Sequence, residues 1–336
     1  MSSAPTPEEI ARDACWLAQA LDPSAGVVRL VAMDRQAYRI ASFLDDRLMQ
    51  QAVDAQLVAW PDIQTATSGD LRSDARWIFH TGHVGSTLVS RLLGELDGVL
   101  ALREPRLLRD LALSPAEVRQ GYLAPVPKLM SRTFGPDEHA CVKATSFVSD
   151  IAPELVPAGE RALFMFASPR NYIASILAGE NSVKEQRLLA ATRAQRLDGR
   201  VPGLAPGRND AELAALAWAC EMTALEAAAA AMADRHIGWA DFDRMLEHMP
   251  EELGRVAAFF GFEADAETIR AIAEGPLMNR YSKALEYEYS AQLRRELIAE
   301  AAAQHRPEID RAVAMLRSAA ARSPLLASAL ARAGGD

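Results

Sequence analysis

Three cysteines in 336 residues are too few to staple a fold, and their scatter is equally telling. Cys15, Cys141 and Cys220 are odd in number and lack the close spacing of a metal knot. Reduced thiols and a cytoplasmic setting are therefore expected. Positive charge is also scarce, with 36 Lys and Arg against 45 Asp and Glu and a formal net charge of −9. A chain with no broad basic face cannot displace many counterions, which excludes a general nucleic-acid binder but not a local pocket for an anion. The opening stretch, MSSAPTPEEIARDA, has no basic n-region and no apolar h-region, so no signal peptide is expected. No run approaches the roughly 18 apolar residues that suggest a membrane span, so none is expected. What remains is ordinary for a globular protein: 50% apolar residues and 24% charged, in a chain long enough for one large domain or two smaller ones.

Two textures divide the chain. Residues 1–70 read as a helical N-terminal region packed on the rest. Thr6-Pro7-Glu8-Glu9 is a capping box with proline at the first helical position, opening a helix to about Ala20. A second helix is expected through DRQAYRIASFLDDRLMQ, where Tyr38, Ala41, Phe43, Leu44 and Leu48 recur at helical spacing. No chemistry is expected from this region.

From residue 71 to 336 a single α/β domain is expected. WIFH, GVLALRE, CVKATS, ALFMFAS and HIGWADF are short apolar runs of strand length, separated by helices and loops. Such runs predict parallel strands buried on both faces, hence a three-layer sandwich around a parallel sheet of about five strands. A helical insertion over about 180–235 carries the Gly- and Pro-rich loop RLDGRVPGLAPGRND, after which Asn209 or Asp210 caps a long Ala-rich helix. PEELGRVAAFFGF predicts another helix, ended by Gly261. The C-terminal third reads as helical apart from NRYSKALEYEYS, where Tyr281, Tyr287 and Tyr289 could shape a pocket or simply pack.

The stretch HTGHVGSTLVSRLL, His80 to Leu93, is strand end, turn and helix. Gly82 and Gly85 let the backbone turn sharply and approach a ligand. The helix starting at Ser86 offers N–H groups and a favourable dipole to an anion, and Ser86 and Thr87 add hydroxyls. The lysine that follows the second glycine in an ATP- or GTP-binding P-loop is missing here, and FMFASPR offers no acid as a magnesium partner. Magnesium-dependent phosphoryl transfer is disfavoured on both counts. His80 and His83 invite a zinc reading, but no third ligand lies near them in sequence, so no metal is expected.

These residues resemble the sulfotransferases that use 3′-phosphoadenosine 5′-phosphosulfate (PAPS), over roughly residues 76–290. Strand, then x-Lys/Arg-x-Gly-Ser/Thr-Thr, then helix is that family's 5′-phosphosulfate loop. His83-Val84-Gly85-Ser86-Thr87 fits it, with His83 where Lys or Arg is usual. ALFMFASPRNYIAS resembles the family's 3′-phosphate motif: Pro169, Arg170 and Ser175 match, Ala167 replaces its first Arg, and Asn171 its Asp. WADFDRMLEHMPEELGRVAAFFGF resembles a later strand, acidic turn and helix.

The resemblance implies a P-loop NTPase- and sulfotransferase-like fold and sulfuryl transfer from PAPS to a hydroxyl or amine, without metal. Its partners would be the nucleotide and an acceptor that the sequence does not identify. Gly82, His83, Val84, Gly85, Ser86, Thr87, Arg170 and Ser175 would bind the nucleotide, with Arg280 or Lys283 folding over it. Glu104, ending the second core strand in LALREP, stands where an acid takes the acceptor's proton, unless it only pairs with Arg103, Arg106 or Arg109. Lys143, ending the third strand, would lie near the transferring group together with His83. His80 and Asp150 are reserve candidates for the base. An atypical P-loop kinase and a non-catalytic nucleotide- or partner-binding protein are the rival readings.

Overall fold

The computed structural model describes residues 4–280 and 290–334. Tyr281, Lys283, Tyr287 and Tyr289 lie outside the described residues.

The N-terminal region is not the helical unit expected. The capping box at Thr6 forms, but its helix stops at Arg12. Three antiparallel strands follow: β1 (Trp16–Asp22), β2 (Val27–Ala32) and β3 (Ala55–Ala59). The physical reason is the hairpin partner. VVRLVA is rich in β-branched residues and pairs with WLAQALD along its length. The turn between them is held by Asp22, whose Oδ1 accepts from the N–H groups of Ser24 at 2.9 Å and Ala25 at 3.2 Å. The second expected helix shrinks to Arg35–Ile40, followed by an irregular segment that ends in a single turn at Leu48–Gln50.

All five core strands stand where the sequence places them. They are β4 (Arg76–His80), β5 (Val99–Arg103), β6 (His139–Lys143), β7 (Arg161–Phe166) and β8 (His236–Asp241). They form one parallel sheet in the order β5-β6-β4-β7-β8, with helices on both faces, which makes the fold a three-layer α/β sandwich. Trp77, Phe79 and Phe164 are fully buried, as a doubly covered sheet requires. From β4 the chain moves outward to β5, returns through β6 and crosses to β7. The carboxyl end of central β4 therefore sits at a switch point, where open α/β sheets leave a crevice.

The insertion forms the Glu180–Asp198 and Asp210–Ala231 helices, and the Asn209 side chain caps the second. By length and hydropathy the Asp210–Ala231 helix could cross a membrane, which the sequence reading did not anticipate. It is instead a core helix, largely buried and packed against the Pro169–Leu177, Arg306–Ala320 and Pro324–Arg332 helices. Its fully buried Glu221 is paired with Arg196 at 2.8 Å.

Candidate functional site

The turn after β4 builds one wall of a cavity at the carboxyl end of the sheet. Gly82 and Gly85 both have positive φ, 82° and 61°. His83 does too, at 55°, although it carries a side chain. Gly85 is the N-cap of the Ser86–Leu93 helix and supplies no side-chain acceptor, so the helix start faces the cavity uncapped. A Cβ on Gly85 would lie 1.8 Å from the Phe242 ring, so Phe242 braces the turn from behind. Arg294 adds a second brace, donating to the His83 carbonyl at 3.1 Å with its guanidinium over Phe242.

The opposite wall comes from the ends of β5 and β6. Arg103 pairs with Lys143 in register, and the Glu104 N–H donates to the Lys143 carbonyl at 2.7 Å, extending the ladder by one residue. This sets the Glu104 carboxylate on the Lys143 ammonium, in an ion pair through Oε1. Lys143 is 1% exposed, so its ammonium is held inside the protein and does not reach out to solvent. Glu104 Oε2 faces Arg47 at 3.6 Å, so its partners are Lys143 and Arg47 rather than Arg103, Arg106 or Arg109. Glu104 also has a positive φ of 56°, unusual for a side chain of this kind and often a mark of function.

Gly82, His83, Gly85, Ser86, Thr87, Glu104 and Lys143 thus line one cavity. Val84 points the other way, into the core. Arg170 and Ser175 do not reach the cavity: Arg170 donates to Asp310 at 2.7 Å, and Ser175 Oγ to the Tyr172 carbonyl at 2.8 Å. Arg280 is exposed at the end of the Pro276–Asn279 turn. Of the reserve bases, His80 lines the same cavity but has both ring nitrogens engaged, and Asp150 is engaged outside it. His80 receives the Gly82 N–H on Nδ1 at 2.9 Å, so its proton sits on Nε2, 2.9 Å from the Ala144 carbonyl. Asp150 holds Arg196 and Arg200 at 2.6 and 2.7 Å. Among the described residues no group of three His, Cys, Asp or Glu could hold a metal ion.

Sequence reasoning missed several lining residues. Tyr172, Glu185 and Arg193 reach in from the Pro169–Leu177 and Glu180–Asp198 helices, with Glu185 3.8 Å from His83 Nε2. Tyr172 stands inside the PRNYIAS motif, and its place beside Arg170 was the available signal. Phe43, Asp45 and Arg47 come from the N-terminal region, which the sequence reading left without chemistry. Arg103 delivers them. Its buried guanidinium donates to the carbonyls of Tyr38 and Ala41, and its own carbonyl accepts from the Leu44 N–H at 2.7 Å. Burial pushes Arg103 down to about 9, which still leaves it charged at neutral pH.

Arg103→Leu is expected to destabilise the protein by about 2–4 kcal/mol, because buried carbonyls lose their donor. A chemical-denaturation midpoint that did not move would show that those carbonyls find other partners.

Fold and site together define an α/β protein with an anion-ready turn beside a buried carboxylate–ammonium pair. No family model matches the chain, and no curated protein matches it. Among solved structures, a sulfotransferase domain from the curacin biosynthetic pathway is 11% identical, with a TM-score of 0.43, covering 70% of this chain and 98% of its own. Mouse sulfotransferase SULT7A1 complexed with PAP is 10% identical, with a TM-score of 0.39 and coverages of 78% and 90%. Retinol dehydratase in complex with androsterone and inactive cofactor PAP is 14% identical, with a TM-score of 0.34 and coverages of 78% and 89%.

Proposed function

We propose that this protein is a transferase that moves a sulfuryl group from PAPS to a hydroxyl or amine acceptor. One observation carries the reading: the uncapped helix start at Gly85 and the Glu104–Lys143 pair open into the same cavity. A helix start with no capping side chain favours an anionic group, and the cavity is also lined by Lys143, paired with Glu104, and by Arg193, 3.8 Å from the buried Glu221. These residues fit the phosphosulfate end of the nucleotide. When bound, PAPS would supply the sulfuryl group.

The chain's own part is positioning and electrostatics. Backbone N–H groups at the turn, with the Ser86 and Thr87 hydroxyls, hold the anionic end. Glu104 takes the proton of the acceptor. Lys143 offsets negative charge between acceptor and nucleotide. The cavity also includes Arg47 and Arg109, which Asp45 and Asp46 partly neutralise. Arg170 can serve the 3′-phosphate only by leaving Asp310.

The reading is tested with PAP, the desulfated product, in the presence of a chelator. At a hundredfold excess over its dissociation constant PAP should add about 2.7 kcal/mol of stability, seen as a raised melting temperature. Stabilisation by ATP–magnesium and none by PAP would sink this reading in favour of a kinase. A response to neither would leave a partner-binding protein.

A further inference from the structure

The Pro169–Leu177 helix sends Tyr172 under the turn after β4. The residue is 1% exposed, and its hydroxyl has no hydrogen-bond partner among the described residues. Burial pushes its pKa above the usual phenol range, so it stays a protonated donor. A buried hydroxyl without a partner costs stability and calls for an explanation. Its surroundings supply one. A Cβ on Gly82 would lie 3.8 Å from Ser146 Oγ and 4.0 Å from the Tyr172 hydroxyl. The bare side of Gly82 therefore faces two hydroxyls, one from the Ser146–Ile151 turn after β6 and one from the helix after β7. Thr81, also 1% exposed, carries another buried hydroxyl without a partner one residue earlier.

We propose that Tyr172 and Ser146 form a side-chain half of the anion cradle, donating hydrogen bonds to the oxygens of the tetrahedral oxyanion that the helix start holds. The identification of that oxyanion as part of PAPS rests on the function proposed above; the role of the two hydroxyls does not. Backbone N–H groups approach the anion from the helix side, and the two hydroxyls from the Gly82 side. Gly82 lacks a side chain where one would stand between them.

This arrangement has a signature that a packing role lacks. Tyr172→Phe removes a hydroxyl that satisfies nothing in the free protein, so the ligand-free melting temperature should stay level or rise. The same change removes a charge-assisted donor from the bound state, so oxyanion affinity should fall about tenfold or more. A tyrosine that merely packs would leave affinity unchanged.

The experiment measures melting temperature and calorimetric affinity for wild type, Tyr172→Phe and Ser146→Ala, with PAP and with inorganic pyrophosphate at matched ionic strength. Weaker binding of both probes to both variants, with Tyr172→Phe at least as stable as wild type when ligand-free, is the expected result. If wild type binds pyrophosphate but not PAP and the variants bind it less well, the cradle stands and the PAPS reading falls. Variants that bind as tightly as wild type overturn the cradle and leave the PAPS reading intact. Wild type that binds neither probe overturns both.

Discussion

If Glu104 is the general base of the proposed sulfuryl transfer, Glu104→Gln is expected to cut turnover per folded molecule by about 10²–10⁴, the usual loss when a general base goes, and to leave PAP affinity within about twofold. Glutamine keeps the size and hydrogen-bonding capacity of the side chain but cannot take a proton at neutral pH. The structure adds a second consequence. Lys143 is 1% exposed, and its ion pair is with Glu104. Removing one charge of a buried pair leaves the other uncompensated, at a typical loss of about 3–5 kcal/mol. The variant should therefore be both slow and less stable.

The two effects separate in the double variant Glu104→Gln/Lys143→Met. An apolar side chain of similar length removes the stranded ammonium, so much of the stability should return. Turnover should not return if Glu104 is the base proposed above, because the double variant still lacks it. The measurement is transfer from radiolabelled PAPS to a panel of hydroxyl and amine acceptors, normalised to folded protein by denaturation. Normal turnover per folded molecule in the single variant would show that Glu104 only holds Lys143 in place.

Much of this site could be read from the sequence because it sits at strand ends. Parallel strands covered on both faces are continuous apolar runs, so WIFH and CVKATS announce both a strand and the residue that follows it. His80, Gly82, Glu104 and Lys143 are all placed in that way, relative to a backbone feature close to them in sequence. The residues that escaped are placed by contacts far along the chain. Phe43 and Arg47 lie in a stretch whose apolar spacing imitates a helix, and they reach the cavity because Arg103, some sixty residues later, ties down the backbone around them. Arg193 projects from an insertion helix with no motif of its own. Trp16–Asp22 deceived for a different reason. Apolar residues and alanines in a row suit a helix or a buried strand, and only its pairing with Val27–Ala32 decides between them.

Arg170 teaches the opposite lesson, since a motif match on its own does not place a side chain. The PR pair after β7 matches the resemblance, yet the guanidinium lies 39% exposed against Asp310 on a C-terminal helix. Ala167, where the resemblance expects an arginine, is buried, and its carbonyl accepts from Trp218 Nε1 at 2.9 Å. The Asp210–Ala231 helix is thus tied directly to the residue that follows β7. In the function proposed here, anion binding therefore falls mainly to the turn after β4, where the glycines are.

Gly85→Ala tests that concentration and should be among the most damaging single-methyl changes in the molecule. Two costs add. An alanine at φ 61° carries the left-handed penalty, roughly 1–2 kcal/mol. Its Cβ would also meet Phe242, with three ring carbons at 1.8, 2.1 and 2.5 Å, so the ring or the turn must move. Phe242 is 2% exposed and cannot swing into open space, and overpacking of this kind typically adds about 1–3 kcal/mol. A total loss of roughly 2–5 kcal/mol is expected by chemical denaturation, together with loss of PAP-induced stabilisation as the turn moves off its course. Gly85→Ala/Phe242→Ala discriminates between the two costs. Truncating Phe242 alone should itself cost about 3–5 kcal/mol, but in its absence Gly85→Ala should add only the backbone penalty. If Gly85→Ala costs the same with and without Phe242, the clash is not what makes glycine necessary. If the single variant is as stable as wild type and still responds to PAP, the turn does not need a bare residue there, and it is not the seat of anion binding.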